Sequence, residues 1–494
     1  METIDNAQEL SLLRQAVEPH FMAGAFEGFF SREYVSLGLK VAKCEVSRVY
    51  HKPGKDCKIT YRLLGHSGES DSYEHWFYAH IAFKNKKLSK YLTGQPAEWP
   101  GCGFWKPVSL WPEMNMALFA FPYDPELPYL HQLLDLNFVK QQIELNLAGL
   151  GLPEGWRCQD VVYHKIKYRP GKRCILRYEA VMIDAANNQR PVVFYSKTYD
   201  KNKESSRYVY EVLQRICATQ TCTSGRLNIP QPIAYIEGTN TIWQNAWEGK
   251  KLARVGEELG WANLPQSGLL PKVAKMLAAL HQTELAGPLL HPAPSASMML
   301  EHAHDDVANI LEFLPEQQEM LGKIIVKFDA AAPSQEEPIM PATIHGTFKI
   351  AQLLYRENPP PARPLRADEA DEGTLDNQSQ SEKDVRLGLV DFDSIASGDP
   401  LIDLAEFIAS LAYLRVSDDI PAASLQDSIE AFLVSYQEQV SWRCDRRRLG
   451  WYVAAFLWGK IHASLKRFEV KAIANIFAAF QMIMDWLDKF EIFV

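Results

Sequence analysis

Alternating apolar and polar positions predict β-strands in the first half of the chain. Residues 161–168, 174–182 and 192–199 are rich in aromatic and β-branched side chains, and Pro170-Gly171 separates the first two runs. Period-two runs bounded by proline and glycine are typical of antiparallel hairpins. We therefore expect three strands here, followed by a helix over residues 204–217.

The same pattern occurs once more, 117 residues upstream. The two segments align without gaps and share turn, cysteine, tyrosine and basic positions: Pro53-Gly54-Lys55 matches Pro170-Gly171-Lys172, Cys57 matches Cys174, Tyr61 matches Tyr178, and Lys84-Asn85-Lys86 matches Lys201-Asn202-Lys203. An offset longer than a solenoid repeat predicts a duplicated subdomain. The sequence leaves open whether the first copy docks on the second, mediates a homodimer or binds a protein partner.

Helical periodicity replaces this pattern downstream of about residue 250. Apolar residues recur at three- and four-residue spacing over 269–282, which is the period of an amphipathic helix. Further helices are expected over roughly 303–331, 401–415, 423–440 and 446–490. The stretch 357–384 is dense in Pro, Asp, Glu, Ser and Gln with almost no large apolar residue, so we expect a flexible loop between short strands at 353–355 and 387–390.

The patterns together predict an α+β chain with three parts. At 494 residues the chain is longer than the roughly 250–300 that one core supports. We expect an accessory β-rich domain over 1–150, a β-rich lobe over 151–250 and a helical lobe over 251–494.

Composition narrows the function classes. The formal net charge of −9 disfavours nucleic acid as the main partner. The eight cysteines contain no C-x-x-C pair, which is typical of reduced thiols, and no apolar run approaches the roughly 20 residues that span a bilayer. We expect a cytoplasmic protein with no membrane association.

Two motifs in the second half suggest a chemistry. The first is His345-Gly346-Thr347-Phe348-Lys349-Ile350-Ala351-Gln352, and the second is Val390-Asp391-Phe392-Asp393 followed by Gly398-Asp399-Pro400. In this order they resemble the signature of the aminoglycoside phosphotransferase and choline kinase-like superfamily, over about residues 155–490. The resemblance implies a protein kinase-like two-lobed fold, with ATP and Mg²⁺ bound between the lobes and a hydroxyl of a small molecule, such as a sugar, as phosphate acceptor.

The resemblance also implies nucleotide and metal roles for individual residues. Lys197 would contact the α- and β-phosphates, with Glu211 or Glu204 as its carboxylate partner. The turn formed by Gly171, Lys172 and Arg173 would either lie over the phosphates, as a glycine-rich loop does elsewhere, or be a plain solvated hairpin turn. Asp391 would bind magnesium, because carboxylate oxygens are the hard ligands that Mg²⁺ prefers. In the first copy His80 replaces Lys197, so we expect that copy to be structural.

The catalytic loop departs from the family pattern. Thr347 stands where the family has a catalytic aspartate, and Gln352 where it has a magnesium-binding asparagine. A threonine hydroxyl is not a base near neutral pH, and a general base typically contributes about 10²- to 10⁴-fold in rate. Lys349 would still stabilise charge on the transferred phosphate, and Asp393 would assist.

The candidate catalytic residues are therefore His345, Thr347, Lys349 and Asp393, with Asp403 expected to anchor the loop. Three functions stay open at this point. The chain is an active phosphotransferase, a pseudokinase that binds nucleotide or a protein partner without turnover, or an enzyme that transfers the nucleotide instead of the phosphate.

Overall fold

The computed structural model describes residues 6–488, except 69–70, 84–90, 94–95, 203–204, 286–289, 335–338, 358–384 and 417–418. Three features of the sequence therefore lie outside the described residues: the Lys84-Asn85-Lys86 run, Glu204, and all but the first residue of the loop expected over 357–384.

A five-stranded antiparallel sheet forms the first domain, in the order β1-β2-β3-β5-β4. Its elements are α1 (Asn6–Val17), α2 (Pro19–Glu33), β1 (Leu39–Lys52), β2 (Asp56–Ser67), β3 (Asp71–Ala82), β4 (Val108–Trp111) and β5 (Met116–Ala120). One face of the sheet is apolar and buried, and α1 and α2 cover it with side chains such as Phe26 and Phe30. The Tyr61 hydroxyl fixes this cover by donating to the carbonyl of Ala16 at 2.7 Å.

A second five-stranded sheet has the matching order, β6-β7-β8-β10-β9. Its elements are α3 (Leu136–Leu145), β6 (Arg157–Arg169), β7 (Arg173–Ile183), β8 (Gln189–Tyr199), α4 (Ser205–Cys217), α5 (Gln220–Thr223), β9 (Pro232–Ile236) and β10 (Thr241–Asn245). The Tyr178 hydroxyl donates to the carbonyl of Leu133. Both partners lie 117 residues after Tyr61 and Ala16, so the two sheets share strand order and an equivalent tyrosine contact.

The boundary expected at residue 150 differs from the packing. Phe121, Leu130, Val139 and Ile143 are buried in the core of the second sheet. The apolar face of an antiparallel sheet must be buried by other residues. In the second sheet, the residues that bury this face come before the first strand in the sequence. Most of residues 121–150 therefore pack with the second sheet, while Tyr123 lies in the core of the first.

The helical lobe follows. It comprises β11 (Lys250–Lys251), α6 (Leu252–Leu259), α7 (Leu269–His281), α8 (Ala296–Phe313), α9 (Gln318–Ala330), β12 (Ala342–Ile344), β13 (Leu353–Glu357), β14 (Val385–Leu389), β15 (Ala396–Gly398), α10 (Leu401–Val416), α11 (Ala422–Gln437), α12 (Arg446–Arg467), α13 (Val470–Ala474) and α14 (Ile476–Asp488). Strand β13 pairs with β11 and β14, and β12 pairs with β15. The predicted α+β, two-lobed fold with a preceding β-rich domain is confirmed.

Two of the expected helices are interrupted. The segment expected as one helix over 303–331 forms α8 and α9, because Pro315 begins a separate turn between them. The segment 446–490 forms α12, α13 and α14. Helix α12 ends where Phe468 adopts a left-handed conformation with φ of 54°.

The first domain docks on the rest of the chain at two places. The His51 ring stacks on Phe468 at 5.4 Å between centroids and meets Phe313 edge-on at 5.6 Å. The Lys165 ammonium of β6 lies 4.0 Å from the Trp76 ring centroid and 4.3 Å from that of Phe121. The first domain thus contacts both the second sheet and the helical lobe, while a homodimer or a protein partner through it stays a prediction.

Within the described part of the chain, no helix combines the length and the apolar character needed to cross a bilayer.

Candidate active site

One face of the second sheet carries a concentration of basic side chains. Lys197 on β8 lies directly opposite Ile175 on β7, which lies opposite Lys167 on β6. In the next row Arg173 lies between Tyr199 and Arg169. Residues opposite each other on antiparallel strands point to the same face, so these four cations share the face turned away from the α3-covered core.

Two aspartates from the helical lobe meet this face. Asp391 and Asp393 follow β14. The Lys197 Nζ atom bonds Asp391 and lies 2.5 Å from Asp393 Oδ1. The Arg173 Nη1 atom lies 3.0 Å from Asp391 Oδ1 and 2.6 Å from Asp393 Oδ2. The Tyr199 hydroxyl donates to Asp393 Oδ1 at 2.7 Å. The two lobes are therefore joined by two cations and two carboxylates.

The electrostatics of this junction favour ionised aspartates. Burial acts to raise the pKa of Asp391, but the ammonium of Lys197 and the guanidinium of Arg173 outweigh it, and the pKa lies well below its ordinary value. Burial likewise acts to lower the pKa of Arg173, but Asp393 and Asp391 raise it. Asp391 also adopts a left-handed backbone with φ of 75°, a conformation that is uncommon for non-glycine residues.

The carboxylate partner expected for Lys197 differs from the observed ones. Glu211 is exposed on α4, and the carboxylates that contact Lys197 within the described residues are Asp391 and Asp393. The period of α4 turns Val209, Val212 and Ile216 into the core, which leaves Glu211 on the solvent side.

The loop of residues 345–352 is anchored by a buried carboxylate. The backbone N–H groups of His345 and Gly346 donate to Asp403 Oδ2 and Oδ1 at 2.6 and 2.8 Å. His281 Nε2 lies 3.1 Å from the same carboxylate. Asp403 is 0% exposed. It holds the loop as expected from the sequence, and burial lowers the pKa of His345, whose Nε2 atom lies 3.1 Å from the carbonyl of Val390.

Glycine is required at position 346 by space as well as by conformation. Its φ is 77°, and a Cβ atom there would lie 2.2 Å from the carbonyl oxygen of Ser394. The close approach joins the loop to the segment that carries Asp391 and Asp393.

Thr347 and Gln352 bond each other within the loop. The Gln352 amide nitrogen donates to Thr347 Oγ1 at 3.3 Å, and the amide oxygen accepts from the Lys349 backbone N–H at 3.0 Å. This amide oxygen is the atom that would bind magnesium if Gln352 took the place of the family's asparagine, and it already accepts one hydrogen bond. The Thr347 hydroxyl also lies 3.5 Å from His345 Nδ1.

The Pro170-Gly171-Lys172-Arg173 turn is engaged by a carboxylate that the sequence analysis missed. Asp124 Oδ2 accepts from the Gly171 backbone N–H at 2.7 Å and from the Tyr168 hydroxyl at 2.9 Å. Burial raises the pKa of Asp124. The Gly171 N–H, which was expected to face a phosphate, is therefore already bonded to Asp124. The Lys172 side chain is exposed.

The first sheet repeats this arrangement. Glu9 accepts from the Gly54 backbone N–H at 3.0 and 3.1 Å and lies 2.7 Å from His51 Nε2. The 117-residue offset relates Gly54 to Gly171 and His51 to Tyr168, but it relates Glu9 to Glu126 and so gave no signal for Asp124. His80, in the place of Lys197, is held by Tyr91 at 2.7 Å and Asp56 at 3.3 Å.

A cavity of about 620 Å³ opens beside the loop, lined by Gly346, Lys349 and residues of α8, α10 and α12. Most of its charges are paired: Lys460 with Glu406 at 3.0 Å, His462 with Asp306 at 2.5 Å, and Arg467 with Glu469 at 3.3 Å. We call it the acceptor cavity, after the acceptor that the resemblance implies. Asp399 is buried, 3.2 Å from Arg448 Nε.

Neither a protein-family model nor a curated protein sequence matches the chain. Solved structures of similar architecture include an aminoglycoside phosphotransferase from Streptomyces rimosus, 14% identical, over 67% of this chain and 99% of the other, with a TM-score of 0.35. A choline/ethanolamine kinase family protein from Mesorhizobium loti is 12% identical over 70% and 97%, with a TM-score of 0.36. A macrolide 2'-phosphotransferase from Brachybacterium faecium is 14% identical over 72% and 99%, with a TM-score of 0.37.

Identities and TM-scores this low carry no information about activity or about the role of any residue. The geometry of the chain itself places a strand lysine, an Asp-x-Asp segment and an anchored His-Gly loop at one junction between a β-rich and a helical lobe. By that arrangement a β-rich lobe and a helical lobe meet at these motifs, as in the two-lobed, protein kinase-like fold expected from the sequence.

Proposed function

We propose that the protein is an ATP-dependent phosphotransferase that acts on a hydroxyl group of a small molecule. The observation that carries the proposal is the convergence of Lys197 with Asp391 and Asp393 at the junction of the lobes, next to the anchored loop. Phosphoryl transfer depends mainly on positioning and on charge stabilisation, and this junction supplies charges of both signs.

Nucleotide phosphates would take the place that the aspartates now hold on Lys197 and Arg173. The residues fit a magnesium ion, because Asp391 and Asp393 offer carboxylate oxygens and Mg²⁺ needs only one or two carboxylates when phosphates complete its shell. The described residues contain no cluster of three or more His, Cys, Asp or Glu side chains that could hold a metal alone. When bound, the ion would neutralise charge on the phosphates.

Without an aspartate at position 347, phosphoryl transfer would depend on charge stabilisation by Lys349 and on a loose transition state. Lys349 lines the acceptor cavity, where its ammonium would stabilise the moving phosphoryl group. A bond forms between the acceptor oxygen and phosphorus while the bond to the bridging oxygen of the nucleotide breaks. In a largely dissociative transition state the hydroxyl proton leaves late, to water or to Asp393.

The test is thermal unfolding with and without ATP and Mg²⁺. A ligand at about 100 times its dissociation constant adds about 2.7 kcal/mol to the native state. We expect a clear rise in Tm for the wild type, for the surface control Lys323→Ala and for Asp427→Ala. Lys197→Ala and Asp391→Ala should lose the rise, each compared with its own unliganded Tm. A wild-type rise that persists in both variants would remove the basis of the proposal.

A second candidate, a nucleotide-binding pseudokinase, is favoured by one observation. The Thr347 hydroxyl and the Gln352 amide form a hydrogen bond with each other. The two residues that differ from the family pattern are therefore each other's partners. A phosphotransferase should show transfer to an acceptor with a mass increase of one phosphate, and Thr347→Asp should increase the rate. Nucleotide binding with no transfer in either form would favour the pseudokinase, and a mass increase of one nucleotide would indicate nucleotide transfer.

A further inference from the structure

Positive charge is concentrated where three parts of the chain meet. Lys167 and Arg169 lie on the open face of the second sheet. Arg467 ends α12 and lines the acceptor cavity. Arg48, on β1 of the first domain, interacts electrostatically with both Arg169 and Arg467. We name Arg48, Lys167, Arg169 and Arg467 the cationic cluster.

The cluster is poorly neutralised within the part of the chain that the structure describes. Arg173 and Lys197, on the same face, each have two carboxylate partners. Arg467 has one, Glu469 at 3.3 Å. By contrast, Arg48, Lys167 and Arg169 have no carboxylate at salt-bridge distance among the described side chains, and the buried Nε atom of Arg169 has no hydrogen-bond partner there.

The members of the cluster repel one another. Burial first, and then the guanidinium groups of Arg169 and Arg467, lower the pKa of Arg48. Burial and the charge of Arg169 lower the pKa of Lys167 to about 8. Burial and Arg173 lower the pKa of Arg169. Asp391 and Asp393 offset part of this repulsion at Arg169, and Asp391 does so at Lys167. Like charges that stay incompletely neutralised cost stability, and such an arrangement is typical of a binding site for an anion.

The cluster adjoins the place where the acceptor would lie. Lys349 and Arg467 line the same cavity, and the charge of Arg169 acts on Lys349. The nucleotide phosphates already have Lys197 and Arg173 as partners. Arg48 lies on β1 three residues before His51, which stacks on Phe468, the residue after Arg467. The first domain therefore adds a positive charge near the end of α12.

We propose that the cationic cluster binds a phosphate group carried by the acceptor, so that the substrate class is a phosphorylated small molecule with a free hydroxyl. This rests on the proposed phosphotransferase function. Arginine guanidinium groups often bind phosphate through two parallel hydrogen bonds, and a cluster with three arginines suits a phosphate dianion better than a singly charged carboxylate. The first domain then has a role in substrate choice through Arg48.

The test is calorimetric titration of the full-length protein with inorganic phosphate, with and without saturating ADP and Mg²⁺. We expect phosphate to bind in both conditions, and more weakly as the salt concentration rises. Arg48→Ala and Arg169→Ala should each weaken binding about tenfold or more. Arg157→Ala, which removes an exposed arginine at the far end of β6, is the matched control and should bind as the wild type does.

Three results would overturn the assignment: no phosphate binding by the wild type, equal binding by Arg48→Ala and the control, or loss of phosphate binding when ADP is present. Loss of phosphate binding in the presence of ADP would indicate that the cluster binds the nucleotide instead. Failure of the phosphotransferase function is read separately, from the effect of Lys197→Ala on the ATP-dependent rise in Tm, because Lys197 is not in the cluster.

A charge-reversal variant distinguishes loss of the phosphate site from unfolding of the protein. Arg48→Glu would place a carboxylate beside Arg169 and Arg467, so we expect its Tm to equal or exceed that of the wild type while phosphate binding is lost. Retained phosphate binding by a folded Arg48→Glu protein would contradict the proposal.

Discussion

The buried anchor of the catalytic loop gives a quantitative prediction. In Asp403→Asn one carboxylate oxygen becomes an NH₂ group, while two backbone N–H donors still point at the position. At least one donor is then buried without an acceptor, which costs about 1–3 kcal/mol, and the remaining bonds lose the charge of their acceptor, which costs about 1 kcal/mol more. We expect a loss of about 2–4 kcal/mol in the free energy of unfolding of the helical lobe.

Urea unfolding followed by far-ultraviolet circular dichroism measures this loss, because most helices belong to that lobe. Asp427→Asn, at an exposed site on α11, is the matched control. The lobe's midpoint should fall in Asp403→Asn and stay in place in the control. If the two variants unfold within about 0.5 kcal/mol of each other, the usual range for surface substitutions, Asp403 does not hold the loop in the way that its contacts indicate.

Three further predictions concern other contacts. Gly346→Ala should destabilise the lobe by more than the roughly 1–2 kcal/mol of a left-handed alanine, since its Cβ would meet the Ser394 carbonyl at 2.2 Å; an unchanged urea midpoint would refute this. Burial lowers the pKa of His75 from 6.5 to about 3, so the unfolded chain binds a proton that the folded one does not, and stability present above pH 6.5 is lost as the pH falls toward 3. The fall in Tm between pH 7 and pH 5 should be smaller in His75→Phe than in the wild type or in the exposed His20→Gln, and equal falls would contradict the assignment. Phe468→Ala removes the ring stacked on His51 and should speed tryptic cleavage between the first domain and the rest, whereas Lys55→Ala, which breaks only a half-exposed pair with Glu312, should change the rate little; equal rates in both variants would argue against the docking role of Phe468.

The local pattern of apolar residues was sufficient to predict the strands of the second sheet and most of the helices. The strands expected over 161–168, 174–182 and 192–199 correspond to β6, β7 and β8. Burial alternates along β7, and Pro170-Gly171 marks the turn between β6 and β7. The breaks at Pro315 and Phe468 were missed. A single left-handed residue leaves the apolar periodicity on either side intact, so the pattern continues across it.

The site was predictable only where short motifs carry it. Lys197, Asp391 and Asp393 were expected near the nucleotide, and the structure brings them together, while their roles stay proposals. Asp124 and Arg48 were missed. They reach the junction by tertiary packing from segments with no local signal, and a single sequence does not reveal which distant charges meet.

Docking of the first domain on the end of the chain has a consequence for biosynthesis. The apolar surroundings of His51 are completed by Phe313 and Phe468, and Phe468 follows His51 by more than 400 residues. The first sheet ends at Ala120, 348 residues before Phe468. At roughly 5–20 residues per second, a ribosome would need about 17–70 seconds to deliver that ring. A nascent first domain with an uncovered apolar edge for this time is a natural client for chaperones, and fragments that stop before α12 ends should aggregate through that edge.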